Sequence, residues 1–144
     1  MNKSDEEKET DLQNIPDPVK RQARKETMEK GIDAPIVMNS LRKAGEFLDQ
    51  LEANIEDSGW IAGDKFSMAD ACTLPYIQRL DHLALSEAFG EEKRPKINKW
   101  YKKVKDLDFF DKAVTSQIPP PLVEMMNTFG EEVKDKALTL MEEN

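Results

Sequence analysis

Ser67 and Asp70 place a hydroxyl and a carboxylate three residues apart within Phe66-Ser67-Met68-Ala69-Asp70-Ala71. A carboxylate there could act as a base or hold a ligand. The same spacing suits a capping box, in which Ser67 accepts from the Asp70 N–H and the Asp70 carboxylate accepts from the Ser67 N–H. Phe66 and Ala71 would add a hydrophobic staple, so the structural reading is favoured. Cys72 is the single cysteine and His82 the single histidine. Cys72 falls on what the pattern makes the inward side of an apolar helix, with no base near it in sequence, and reads as a buried, inert thiol. His82 has no second histidine or cysteine to form a ligand set, so no metal site is expected. Met125, Met126 and Phe129 have the spacing of an adaptable apolar lid over a substrate pocket, although methionines at helical spacing more often fill a core. Lys96, Lys99, Lys102, Lys103 and Lys105 make one stretch basic, which reads as a solvated face.

The elements that must position these residues are helical. Ser4 with Glu7 can open a short acidic helix that stops before Ile15-Pro16. Asp17-Pro18 starts a second helix, running to about Lys30 and ended by Gly31. Asp33 is expected to cap a third, from about Ala34 to Asp57, whose Val37, Leu41, Ala44, Leu48, Leu51 and Ile55 share one stripe. A turn-rich loop, Trp60 to Lys65, leads into a helix from Ser67 to about Ala84, apolar around much of its first half and therefore expected to be central and buried. Pro75 lies inside it and should kink it. Pro95 opens the next helix, with Ile97, Trp100, Tyr101, Val104 and Leu107 facing inward, and a short turn follows at Phe109 to Val114. Pro119 to Pro121 then precede a last helix with Leu122, Met126, Phe129, Val133, Ala137 and Leu140 on one face and Gly130 as a weak point.

No alternating strand pattern and no internal repeat is present. The fold class expected is all-α: an orthogonal bundle of about six helices. With 144 residues the chain has room for one core. It carries 29 acidic and 21 basic residues, a net charge of −8, which argues against nonspecific nucleic-acid binding and against an anionic membrane surface. A lone cysteine excludes an internal disulfide and suits a reducing compartment. With no targeting stretch and no apolar run near ~18 residues, a cytoplasmic location is expected.

The run Trp60-Ile61-Ala62-Gly63-Asp64-Lys65-Phe66-Ser67-Met68-Ala69-Asp70 resembles the W-L-A-G-D-x-[FL]-[ST]-x-A-D signature of the all-helical C-terminal domain of glutathione transferases. Pro95-Lys96-Ile97-Asn98-Lys99-Trp100-Tyr101 resembles the P-x-[IL]-x-x-W-[YF] start of that domain's next helix. Ile15-Pro16-Asp17-Pro18, Arg21, Lys30-Gly31-Ile32 and Pro75 look more like the bacterial branch of β-etherase-like and dehalogenase-like transferases than like the animal classes. One departure is Asp106-Leu107-Asp108-Phe109, where the family often has R-P-x-F.

The resemblance implies an organisation into a polar N-terminal segment, residues 1–16, a glutathione transferase C-terminal-like helical domain, 17–118, and a proline-led C-terminal helix, 119–144. It implies the electrophile-side half of a detoxifying or ether-cleaving transferase, with Met28, Met125, Met126 and Phe129 lining the substrate pocket. Ser67 and Asp70 then form a structural cap, and no catalytic residue is expected in this chain. In the full-length family, glutathione is the cosubstrate, a small electrophile the partner, and a homodimer the assembly. The thioredoxin-like domain that binds glutathione and activates its thiol is expected to be absent from this chain, which alone would be inactive and would hold no cofactor. The competing reading is a noncatalytic interaction module, because helical domains of this type also dock within translation elongation factor and synthetase complexes. A thioredoxin-like domain encoded just upstream of Met1 would favour the transferase.

Overall fold

A computed structural model describes residues 4–143, and among these there is no strand. Seven α-helices follow in order: α1 Asp5–Gln13, α2 Pro18–Lys30, α3 Pro35–Asn54, α4 Met68–His82, α5 Pro95–Lys105, α6 Phe110–Ala113 and α7 Pro120–Glu142. Single turns of 3-10 helix lie at Gly31–Asp33, Ser86–Phe89 and Thr115–Gln117. The all-α class stands, with one helix more than expected. The chain divides into two compact units, Met1–Leu41 and Arg42–Asn144.

In the first unit, Ser4 and Glu7 form a capping box: Glu7 N–H donates to Ser4 Oγ at 3.2 Å and Ser4 N–H to the Glu7 carboxylate at 2.7 Å. Asp17 caps α2 by accepting from Val19 N–H and Lys20 N–H, Pro18 takes the first helical position, and Gly31 ends the helix with φ at +55°. The Arg21 guanidinium donates twice to the Ile15 carbonyl, fastening the turn between α1 and α2. The residue just before α3 is Ala34, not Asp33. Asp33 lies in the 3-10 turn, and Ala34 is extended at ψ 132°. Pro35 is the reason: a residue before proline is pushed out of helical conformation, while the proline itself suits a helix start.

The core of the second unit is built on Trp100, Leu48, Ile77, Ile97, Val104 and Met141, all essentially inaccessible. Two glycines allow the helices to meet there. A Cβ on Gly45 would lie 1.9 Å from the Met141 carbonyl oxygen, and one on Gly130 1.9 Å from that of Leu83. Gly130 is therefore a contact point of α7 with the end of α4, not merely a weak point. Beyond α4, Ala84 takes the left-handed conformation at φ 59° that more often belongs to glycine, and Leu85 N–H donates back to the Leu80 carbonyl. This turn ends α4 at His82, two residues short of the expected Ala84.

Two expectations about apolar faces are corrected. On α4 the buried set is Asp70, Leu74, Ile77 and Gln78, so the opposite stripe of Met68, Cys72 and Tyr76 is exposed, Met68 by 76%. Apolarity around the circumference could not say which side turns inward. The bonds of Asp70, described below, decide it. Cys72 is thus an accessible thiol, and 5,5′-dithiobis(2-nitrobenzoate) should modify it in the native chain without denaturant. Reaction only after unfolding would show the thiol to be buried. On α7, Met126, Gly130, Ala137, Leu140 and Met141 are buried, whereas Leu122, Phe129 and Val133 are exposed together with Met125. The inward stripe is displaced because it must present Gly130 to Leu83 and Met141 to Gly45.

Candidate functional site

Asp70 is fully buried at the start of α4 and is satisfied from three segments. Its Oδ2 accepts from Ser67 N–H and from the Ser67 hydroxyl, both at 2.9 Å. Its Oδ1 accepts from the indole Nε1–H of Trp100 at 2.8 Å and from Ile61 N–H at 3.1 Å. Burial pushes the Asp70 carboxyl up, but the indole of Trp100, Ile61 N–H and the two Ser67 donors outweigh it and hold the group below its ordinary value. A carboxylate whose lone pairs are all engaged, with no path to solvent, is a structural centre and not a base. It fixes three things at once: the start of α4, the loop carrying Trp60 and Ile61, and the rotation of α5. Trp60 stacks edge-on against Phe66, which does the same against Phe109.

The basic stretch of α5 is less idle than a solvated face. Lys96 Nζ donates to the Ile55 carbonyl, just past the end of α3, and Lys103 Nζ to that of Ser58 in the turn that follows. Lys103 also stands 3.9 Å over the Trp60 ring. From the other direction, Glu52 of α3 accepts from Lys96 N–H and Ile97 N–H, satisfying the first turn of α5. Arg94, buried just before α5, donates to Asp49 at 3.0 and 2.7 Å and to the Ala88 carbonyl.

A cavity of about 680 Å³ in the second unit lies between α4, α5, the segment after α6, and α7. Its size is that of pockets that hold small organic ligands. Apolar groups of Phe110, Ile118, Pro120 and Val123 form much of its wall. Polar groups converge from α4 (Gln78, Asp81, His82), α5 (Tyr101, Lys105) and α7 (Glu124, Asn127).

The Tyr101 hydroxyl donates to Asp81 Oδ2 at 2.9 Å, and burial, the Asp81 charge and this bond push the phenol far above its ordinary value. The phenol is therefore a fixed neutral donor and supplies no tyrosinate. Lys105 lies 4.3 Å over its ring. Partial burial lowers the His82 imidazole below its ordinary value. Asp81 opposes this and Arg79 reinforces it, so the ring is uncharged at neutral pH. Among the described residues no group of three or more His, Cys, Asp or Glu side chains is placed to hold a metal.

The sequence profile described as glutathione S-transferase, C-terminal domain, matches residues 17–108. The chain belongs to the glutathione S-transferase C-terminal domain family. Neither a curated protein nor a solved structure matches it. The match ends before the 3-10 turn at Thr115–Gln117 and before α7, so the family region supplies the α4 and α5 sides of the cavity and the remainder of the chain the rest.

None of the four residues expected to bind substrate borders this cavity. Met28 is half-buried on α2 in the first unit. Met125 and Phe129 point to solvent on α7, and Met126 is buried, its sulfur 2.7 Å from an Arg79 guanidinium nitrogen. What sequence reasoning missed is the set Gln78, Asp81 and Tyr101. Asp81 and Tyr101 meet across 20 residues of chain, a pairing with no local signature. Gln78 did leave a signal, since a glutamine four residues after Leu74 lies on the stripe that α4 buries.

Proposed function

We propose that this domain is the electrophile-side half of a glutathione transferase in the cytoplasm, where a glutathione thiolate displaces a leaving group from an electrophilic carbon and forms the C–S bond. The reading is supported by family membership together with the row of apolar side chains that α7 leaves uncovered: Leu122, Met125, Phe129 and Val133, each more than a third exposed. Met125 and Phe129, one helical turn apart, supply the electrophile wall. Asp70 and Ser67 set the scaffold. The same uncovered row favours self-association, consistent with a homodimer. The activating group lies outside residues 4–143: their one tyrosine in the cavity is committed to Asp81, and their one cysteine is on an outer helical face. The chain's motifs fit the bacterial branch of β-etherase-like and dehalogenase-like transferases better than the animal classes.

The expected result with the purified chain is no conjugation of glutathione to 1-chloro-2,4-dinitrobenzene and no retention on immobilised glutathione. The halide itself should bind weakly, with Kd of the order of a millimolar because the wall is open to water, and Phe129→Asp should weaken that binding. Turnover that survives repurification, or micromolar glutathione binding, would place an activating group within the chain and sink the reading. Halide binding untouched by Phe129→Asp would remove the α7 wall and leave a docking module as the better account.

A further inference from the structure

Among the described residues the second unit buries three polar ones, Asp70, Gln78 and Arg94, and they are treated differently. Asp70 accepts four hydrogen bonds and Arg94 donates three. Gln78, only 9% exposed, makes no side-chain hydrogen bond with any described residue. Yet no wholly enclosed side-chain nitrogen or oxygen among the described residues is without a partner. The Gln78 carboxamide therefore keeps its contact with solvent, and the two spaces that the residue borders are the 680 Å³ cavity and an adjoining one of about 380 Å³. An amide that faces a cavity with both its donor and its acceptor unclaimed by protein is paired there by water, or by a ligand that presents the complementary edge.

The surroundings define the partner. Ile118 borders both spaces and, with Val123 and Phe110, offers apolar surface to a ring. Asp81 and Glu124 outnumber the one cation on the wall, Lys105, which is held over the Tyr101 ring. An anion is repelled there, and a neutral imidazole, His82, adds a second uncharged hydrogen-bonding group. We infer that the cavity between α4, α5 and α7 binds a small, uncharged, planar heteroaromatic compound whose amide-like edge pairs donor to acceptor and acceptor to donor with the Gln78 carboxamide. The site is separate from the α7 wall proposed for the electrophile, since neither Met125 nor Phe129 borders it.

The probe is 2-quinolinone, a fused ring with a lactam edge, titrated into the whole chain while the Gln78 side-chain amide and the His82 ring are followed by NMR. Saturable shifts of both are expected, with sub-millimolar Kd. The anion 2-naphthoate, and 2-methoxyquinoline, which lacks the lactam donor, should each bind about tenfold more weakly. Gln78→Leu should weaken 2-quinolinone about tenfold and leave 2-methoxyquinoline unchanged. Leucine at a buried, unpaired position keeps the fold, and Val123→Trp, which fills the cavity from a half-exposed site, should abolish binding of both rings. No saturable shift up to the solubility limit, equal affinity for lactam and anion, or binding indifferent to Gln78→Leu would each overturn the inference. Glutathione and the α7 wall take no part in the assay, so its outcome is independent of the transferase reading.

Discussion

Asp70→Ala should lower the stability of the chain by about 3–5 kcal/mol in urea melts, and it should do so through three segments at once. Removing the carboxylate strands the indole N–H of Trp100 and the backbone N–H groups of Ile61 and Ser67, in a place that water does not reach. Each stranded donor costs about 1–3 kcal/mol. Ser67→Ala removes the hydroxyl that donates to Oδ2 and accepts from the Asp70 N–H, and should cost about 0.5–2 kcal/mol, and the double variant less than the sum of the two, because the Ser67 hydroxyl loses its carboxylate acceptor once Asp70 is gone. Full additivity would show the two side chains to be energetically separate.

The pH dependence has a definite sign. The folded-state pKa of Asp70 lies below its ordinary value of 3.8, so the stabilisation by the charged carboxylate is complete above the unfolded-state pKa. It is lost as the pH falls through the lower, folded-state value. Wild type should therefore lose stability towards the Asp70→Ala level in strong acid, and the difference between them should be flat from about pH 5 upward. A difference that grows between pH 5 and pH 8 would mean that another group is responsible.

Gly130→Ala should also destabilise strongly, by about 2–3 kcal/mol net, even though alanine is the better helix former by about 1 kcal/mol. The added methyl carbon would sit 1.9 Å from the Leu83 carbonyl oxygen and 2.4 Å from its carbon, both backbone atoms that no rotamer change can move aside. Helix α7 must then lift from the end of α4, disturbing Met126 on Arg79 and widening the cavity that the two helices share. Thr128→Ala, on the exposed side of the same helix, is the control and should change stability little. A gain of about 1 kcal/mol from Gly130→Ala would show that propensity and not close approach governs the position.

These effects divide along the reach of the interactions involved. Caps and breakers act over three or four residues, so the ends of α2, the box at Ser4 and Glu7, the pairing of Ser67 with Asp70 and the proline starts of α5 and α7 are legible from local spacing alone. The family was legible for a related reason: the loop from Trp60 to Asp70 is a short segment whose residues serve one compact arrangement. Even there, the sequence named only the Ser67 partner of Asp70. Trp100, 30 residues on, and Ile61 enter through the packing of α5 and the loop against α4.

Which side of an apolar helix turns inward was not legible for α4 or α7, because apolar residues occupy both sides and a 3.6-residue period then has no single phase. Tertiary structure settled it through contacts distant in the chain: Asp70 with Trp100 rotates α4 so that Cys72 faces out, and Gly130 against Leu83 and Gly45 against Met141 rotate α7 so that Phe129 faces out. The cavity belongs wholly to that second kind of information. Gln78, Tyr101 and Val123 come from three helices, and only the packing of those helices, which no local spacing encodes, brings them around one space.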